Sequence, residues 1–355
     1  MQILVLCPQP INISPSTRFR VNHYILQKTD ETIHFHIHPF LDNKTWAILY
    51  EPGHQFKKAL GIFKGFCKRF KLLFGLSKFN YVYIHREATP LGFPVFEFLM
   101  ARVFKKKIIY DFDDSIWVRN NSQANPIALF LKAPWKVKYI CKWSHIVTVG
   151  NEYLADYARK YNNNVQIIPT VVDTENLHNL IHNHHANTLP VIGWTGTFTN
   201  HHYLESLTPV FQKLKKIYKF DLLIISDKDP YLKGIEYSYI KWNIATEIHD
   251  LNRMDIGLMP IDDSELARGK CAFKAIQYMA LGIPAVVSNI SANATVVTDK
   301  VDGYLCNTEK EWEQALEELL TNIELRQNMG INARQKIVSQ FSVAATIRTF
   351  FNLFK

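Results

Sequence analysis

The sequence predicts an α/β protein made of two doubly wound, parallel-sheet domains. Three observations carry that expectation. Residues 2–7 form a continuous apolar run, as a central strand covered on both faces requires. Short apolar runs then alternate with helical stretches along both halves of the chain. Between the two series lies a polar stretch, 173–189, low in β-propensity, which serves as the linker.

In order, the first half offers strands at 2–7, 32–39, 81–85, 107–111, 145–150 and 166–169, with a helix over 95–104. At 32–39 histidines alternate with apolar residues, a period of two. The second half offers strands at 191–194, 221–226, 255–259 and 285–288. Helices are expected over 204–218, from about 272 to 281, over 309–321 and over 323–340. Gly282 stops the second of these, because glycine accepts the left-handed conformation that ends a helix.

A length of 355 residues, 47% of them hydrophobic, suffices for two domains with their own cores. The net charge of +9 is uneven. Residues 1–185 hold 23 Lys and Arg against 13 Asp and Glu, whereas the rest hold 18 against 19. The first half therefore suits an anionic partner. Cys7, Cys67, Cys141, Cys271 and Cys306 form no CxxC pair, so neither disulfides nor a zinc–thiolate site is expected. The first apolar run is too short for a signal peptide and no window reaches 18 uninterrupted apolar residues. The expectation is a cytoplasmic protein, peripheral on the inner face of the membrane.

The most informative stretch is 268–284. Arg268, Lys270 and Lys274 stand around the start of a short apolar helix, and a buried strand follows. Exposed N–H groups and the helix dipole already favour an anion there, and three cations suit a diphosphate. The bland alternative is a solvated charge cluster, but Lys274 lies within an otherwise apolar helix, one turn after Lys270. The loop Gly193-Trp194-Thr195-Gly196-Thr197-Phe198-Thr199-Asn200 follows a strand, and its glycines let a ligand approach the backbone. Asp111, Asp113 and Asp114 crowd one strand end, where they can act as a base, bind a metal, accept hydrogen bonds from sugar hydroxyls or cap the next segment. His85-Arg86-Glu87 closes a neighbouring strand; His85 is either a satisfied core histidine or faces the same site. Arg18 and Arg20 follow the first strand in a Ser/Thr-rich turn that suits an anionic group or solvent.

Residues 56–78 form a basic amphipathic pattern. Lys57, Lys64, Lys68, Lys71 and Lys78 fall within an arc of about 80°, with Phe63, Phe66, Phe70, Leu73 and Phe74 across from them. That pattern fits either an anionic membrane interface or a helix with its apolar face in the core. A second basic aromatic stretch, 132–143, adds four lysines. No nucleic-acid motif accompanies these charges. The histidines at 182, 184 and 185 can ligate a metal, but they sit in a loop without ordered partner ligands, and no metal is expected.

Asp255-Ile256-Gly257-Leu258-Met259-Pro260, Arg268-Gly269-Lys270-Cys271, Lys274 and Tyr278-Met279-Ala280-Leu281-Gly282-Ile283-Pro284 resemble retaining glycosyltransferases of family four. So do Asp302-Gly303-Tyr304-Leu305 and Leu325-Arg326-Gln327-Asn328-Met329-Gly330, while His85-Arg86-Glu87 and 110–117 resemble one branch of that family. The resemblance implies the GT-B architecture, two Rossmann-like domains facing a cleft. It implies an acceptor domain over 1–180, a nucleotide-sugar domain over 181–340, and a last helix, 341–355, crossing back to the first. It implies a metal-independent, cofactor-free transferase in which Arg268, Lys270 and Lys274 take the diphosphate charge. Gly196 and Thr197 would offer backbone to the donor, and Gln277 would hold the ribose. Asp113, Asp114 and His85 would be catalytic, with Arg18 and Arg86 on the acceptor side. Such enzymes usually carry two glutamates eight residues apart here, where this chain has Gly269 and Gln277. The function implied is sugar transfer from a nucleotide diphosphate to a glycan or lipid-linked acceptor in surface polysaccharide or glycoconjugate synthesis. The alternatives are a catalytically silent scaffold of the same fold and a nucleotide-sugar epimerase.

Overall fold

The computed structural model describes residues 1–10, 14–28, 30–49, 51–118, 132–185 and 187–355. The chain divides into two compact units. Unit 1 holds Met1–Pro169 with Ile347–Lys355, and unit 2 holds Thr170–Thr346.

Unit 1 is built on six parallel strands: β1 (Gln2–Cys7), β2 (His34–Pro39), β3 (Tyr81–His85), β4 (Lys107–Phe112), β5 (Ile146–Val149) and β6 (Val165–Ile167). Their order across the sheet is β2-β1-β3-β4-β5-β6. Val5 lies opposite Ile37 on one side and Tyr83 on the other. Ile3, Val5, Val82, Ile84, Ile109 and Val147 are buried, as strands covered on both faces demand. The long helix α1 (Gln55–Phe74) turns Gly61, Gly65, Arg69 and Leu73 inward, one residue per turn. Its glycines are steric necessities: a Cβ on Gly65 would stand 2.6 Å from the Phe40 ring, and one on Gly61 would stand 2.3 Å from Thr45. Helix α2 (Lys136–Trp143) precedes β5. The last residues close unit 1, with Phe350 stacked on Tyr24 at 4.2 Å and Tyr81 donating to the Lys355 carbonyl at 3.0 Å.

Unit 2 repeats the plan with β7 (Val191–Gly196), β8 (Asp221–Ser226), β9 (Ser238–Lys241), β10 (Ile256–Met259), β11 (Ala285–Ser288) and β12 (Gly303–Cys306), in the order β12-β11-β10-β7-β8-β9. Helix α3 (Phe273–Ala280) packs on β10 and β11, followed by α4 (Glu309–Thr321) and α5 (Ile323–Gln340). A full capping box, Thr308 with Glu311, starts α4. Trp194, Phe211, Ile224, Leu258, Val286 and Leu316 lie in one apolar core. The chain ends with α6 (Val343–Asn352).

Several elements differ from the sequence expectation. The single helix over 204–218 is two, His201–Glu205 and Thr208–Leu214, because Pro209 has no N–H to continue the first and instead opens the second. The helix over 95–104 is one α turn, Val95–Phe98, followed by a wider π turn, Leu99–Val103. Strands β9 and β12 were not anticipated: β9 is bounded by Ser238 and Lys241 and only half-buried, and β12 opens on Gly303, so neither stands out as an apolar run.

Candidate functional site

In unit 2, β7 leads to β8 on one side while β10 pairs on its other side. The crossovers thus diverge between β7 and β10, and open α/β sheets bind ligands at the carboxyl ends of such a pair. The loops leaving these two strands meet: Lys270 Nζ lies 3.3 Å from Asn200 Oδ1, and Tyr203 donates to Asp262 Oδ1 at 3.3 Å. The Tyr278 hydroxyl fastens the strands beneath, within 2.9 Å of the Thr195 N–H and 3.3 Å of the Leu258 carbonyl. Gly257 makes this possible, since a Cβ there would stand 2.3 Å from the Tyr278 ring.

Helix α3 starts at this place. Its N-cap is Ala272, held at φ +53°, whose side chain makes no capping hydrogen bond. That backbone is costly for a residue with a Cβ, and alanine at the N-cap brings no side-chain oxygen of its own to the helix end. Lys274 in the first turn lies 4.7 Å above the Trp194 ring. Gly196 gives it room: a Cβ there would stand 2.4 Å from Trp194 and 3.1 Å from Lys274 Nζ. Among the described residues Lys274 has no carboxylate partner. Burial, and then the charge of Lys270, push its ammonium down to about 7. A cation kept in this condition is stabilised by whatever anion arrives.

The three predicted cations have different fates. Lys270 precedes α3 rather than sharing its face with Lys274, and its ammonium also lies 5.9 Å from the Tyr203 ring centre. Arg268 ends the short helix Glu265–Arg268 and is half exposed, its guanidinium gripped by both Asp263 oxygens at 2.7 Å. Thr197 is exposed and hydrogen-bonded to Thr199 at 2.8 Å and Asn200 at 3.0 Å. Gln277 is only 2% exposed, with its amide nitrogen 3.4 Å from Glu247 Oε1. Trp242 donates to the same oxygen at 3.2 Å. Sequence reasoning missed Glu247, since nothing near it in the chain marks it.

Unit 1 has its own divergence point, between β1 and β3. His85 ends β3 there, fully buried, with Nδ1 2.7 Å from Asp111 Oδ2 and Nε2 2.8 Å from Ser16 Oγ. Ser16 also donates to Asp113 Oδ2 at 2.6 Å. The alternation of β4 thus brings Asp111 and Asp113 to the same side, bracketing His85. Burial pushes the Asp111 carboxyl up, but the Arg20 guanidinium and the His85 hydrogen bond outweigh it and hold it below the usual range. Burial likewise opposes the ionisation of Asp113, and Arg86, His85 and Arg20 overcome it, so that this carboxyl is held well below its ordinary value. Arg86, at φ +63°, pairs with Asp113 at 2.8 Å and approaches Asp114 at 3.8 Å. Thr148 donates to Asp111 at 2.7 Å. Of the two early arginines, Arg20 engages Asp111, while Arg18 lies over the Phe19 ring at 4.6 Å. Ser16 and Thr148 therefore join Asp111, Arg20, His85, Asp113 and Arg86 in one network, and sequence reasoning gave no role to Ser16 or Thr148.

The basic stretches separate. Helix α1 exposes Phe56 (81%), Phe63 (64%), Phe70 (57%) and Phe74 (77%) beside its exposed lysines, so these aromatics are not its core face. Within 132–143, Lys136 is buried, pairing with Glu87 at 2.7 Å and the Thr89 carbonyl at 2.8 Å, and is not a surface charge. Among the described residues, no helix is long and apolar enough to cross a membrane.

Comparison with known proteins agrees with this geometry. Residues 189–322, which contain every unit 2 group named above, match the family model described as glycosyl transferases group 1. No curated protein is similar to the chain in sequence. Among solved structures, sucrose-phosphate synthase from Thermosynechococcus elongatus superposes with a TM-score of 0.69 at 12% identity, covering 100% of this chain and 98% of that one. A glycosyltransferase from Rickettsia africae gives 0.69 at 12% identity over 100% and 97%. The HepE protein of Anabaena, solved in complex with UDP and glucose, gives 0.65 at 12% identity over 99% and 98%. The fold is thus the GT-B fold of glycosyltransferases, and residues 189–322 match the glycosyl transferases group 1 domain model.

Proposed function

We propose that the protein transfers a sugar from a nucleoside-diphosphate donor to a glycan or lipid-linked acceptor, with retention at the anomeric carbon, in surface polysaccharide or glycoconjugate synthesis. The observation that carries this reading is Lys274: a partly buried cation with no carboxylate partner among the described residues, in the first turn of a helix within the stretch that matches the group 1 family model. HepE, of the same fold, is solved with UDP and glucose.

Lys274, Lys270 and the first N–H groups of α3 hold the diphosphate. As the bond to the anomeric carbon breaks, charge grows on the leaving phosphate oxygen, and these fixed positive groups stabilise it without a metal. Arg268 joins them on releasing Asp263, and Gly196 and Thr197 present the loop backbone. Glu247, steadied by Gln277 and Trp242, receives the ribose hydroxyls. In unit 1, Asp113 and Asp114 orient the acceptor, Arg86 and Arg18 contribute positive charge, and His85 fixes Ser16 and Asp113 through the bonds described above.

A thermal-shift screen with UDP, GDP and ADP, followed by release of nucleoside diphosphate from the matching nucleotide sugar plus acceptor, tests the proposal. At least one nucleotide is expected to raise Tm by several degrees at saturation. A chain that binds none of the nucleotides would be the partner-binding silent scaffold that Gly269 and Gln277 suggest, and one that only interconverts the sugar would be an epimerase. If no nucleotide shifts Tm, the transferase reading fails.

A further inference from the structure

The polar segment at the start of unit 2 is held along the amino-terminal edge of the sheet, away from the loops that bear Lys274. Arg334 reaches the carbonyls of His178 and Ala280 and lies 3.2 Å from that of Thr174, and the His182 N–H donates to the Leu281 carbonyl at 2.8 Å. Two histidines of this segment meet Asp255, which directly precedes β10. All three side chains are buried.

Each imidazole has one nitrogen turned outward to a backbone carbonyl and the other turned toward the same small space. His182 Nδ1 is 2.7 Å from the Asn252 carbonyl, and its Nε2 is 2.9 Å from Asp255 Oδ1. His184 Nε2 is 3.1 Å from the Gly282 carbonyl, and its Nδ1 is 3.7 Å from Asp255 Oδ1. The carbonyls fix the protons on the outer nitrogens and leave the inner ones as lone pairs, the arrangement by which proteins orient metal-binding histidines. Asp255 Oδ2 is occupied separately, by Asn187 at 2.8 Å and the Val191 N–H at 2.8 Å, which leaves Oδ1 to face the histidines.

We propose that His182 Nε2, His184 Nδ1 and Asp255 Oδ1 bind a structural zinc ion that pins this segment to unit 2. The three atoms lie within 4.8 Å of one another. Bonds of about 2.0–2.1 Å at tetrahedral angles put ligand atoms about 3.3 Å apart, and the separations of 2.9 and 3.7 Å bracket that value. Two imidazoles and a carboxylate suit zinc and disfavour magnesium or calcium, which take oxygen ligands. A proton on His182 would explain only half the cluster: it would bridge His182 to Asp255 and leave His184 Nδ1, buried and without a hydrogen bond, unexplained. A cation in the centre satisfies all three atoms. The nearby Arg326 guanidinium opposes it electrostatically, which lowers affinity without blocking the site.

The test uses the full chain stripped with chelator, then titrated with zinc against a chromophoric competitor and, separately, with cobalt(II). One equivalent of zinc is expected to bind with sub-micromolar Kd and raise Tm by about 5 °C. Cobalt is expected to develop the visible bands of a four-coordinate ion, and His184→Gln and His182→Ala each to weaken binding at least 100-fold. Wild-type chain that shows neither cobalt bands nor a zinc-dependent Tm overturns the proposal and leaves a His182–Asp255 ion pair. Undiminished binding in the His182→Ala/His184→Gln double variant also overturns it, by placing the ion elsewhere.

Discussion

Lys274 concentrates the chemistry of unit 2 in one titratable group. Its ammonium is pushed down to about 7 by burial first and Lys270 second, while an unfolded chain holds a lysine near 10.4. The unfolded state therefore binds more protons between those values, and the stability of the ligand-free chain is expected to rise with pH across that window. Nucleotide affinity should move the other way. A diphosphate favours the charged amine, so binding takes up a proton, and the Kd of a nucleoside diphosphate is expected to weaken by up to about tenfold per unit between pH 7 and 9. Calorimetry in buffers of different ionisation enthalpy reads that proton directly, and a pH-independent Kd would contradict the assignment. The presence of Lys274 in an apolar helix was legible in the sequence, because a cation at such a position is conspicuous. The pairing of Arg268 with Asp263 and the inward turn of Gln277 toward Glu247 were not, because both depend on loop conformations that no periodicity encodes. The same limit hid the pairing of Asp111 with Arg20: alternation placed the carboxylate on a face, but its partner sits 91 residues away in the chain.

At the scale of elements, helix α1 shows how composition misleads about burial. Its pattern pairs a lysine arc with an apolar arc; the lysines and Phe63, Phe70 and Phe74 are exposed, and of the apolar arc only Leu73 is buried. The buried stripe is Gly61, Gly65, Arg69 and Leu73, with Arg69 satisfied inside by the Ala88 carbonyl at 2.7 Å and the Cys7 carbonyl at 3.1 Å. Small residues here are worth more than apolar ones, since they let the helix lie against Phe40 and Thr45. Gly65→Val is expected to lower Tm by about 5 °C through overpacking against the Phe40 ring, and an unchanged Tm would show that the helix can shift at little cost. The exposed phenylalanines and lysines together suit an anionic membrane interface, the peripheral location we propose for this protein. Lys64→Glu, Lys68→Glu and Lys71→Glu combined are expected to weaken sedimentation with anionic vesicles at least tenfold while leaving neutral vesicles unaffected. Equal sedimentation of variant and wild type would remove the membrane assignment. The strands were the most readable elements, because β1, β3, β8 and β11 are buried on both faces and read as uninterrupted apolar runs. Edge strands β9 and β12 lack such a run, since Ser238 and Lys241 bound the first and Gly303 opens the second.

For the whole molecule, two six-stranded parallel sheets each gather their polar groups where the strand order diverges. The division into two α/β units follows from the alternation of elements, and the GT-B fold from comparison with solved glycosyltransferases. Substrate-level detail was less legible, since the loops that bear it follow from contacts distant in sequence. The central claim is that unit 2 holds a nucleoside diphosphate through Lys274 at the start of α3. Isothermal titration of UDP, GDP and ADP into the wild-type chain and into Lys274→Ala tests it. A charged hydrogen bond contributes about 1.5–3 kcal/mol, so the variant should bind the preferred nucleotide about 10- to 150-fold more weakly with unchanged stoichiometry. Equal affinity in the two chains, or no binding of any of the three nucleotides to the wild type at millimolar concentration, would contradict it.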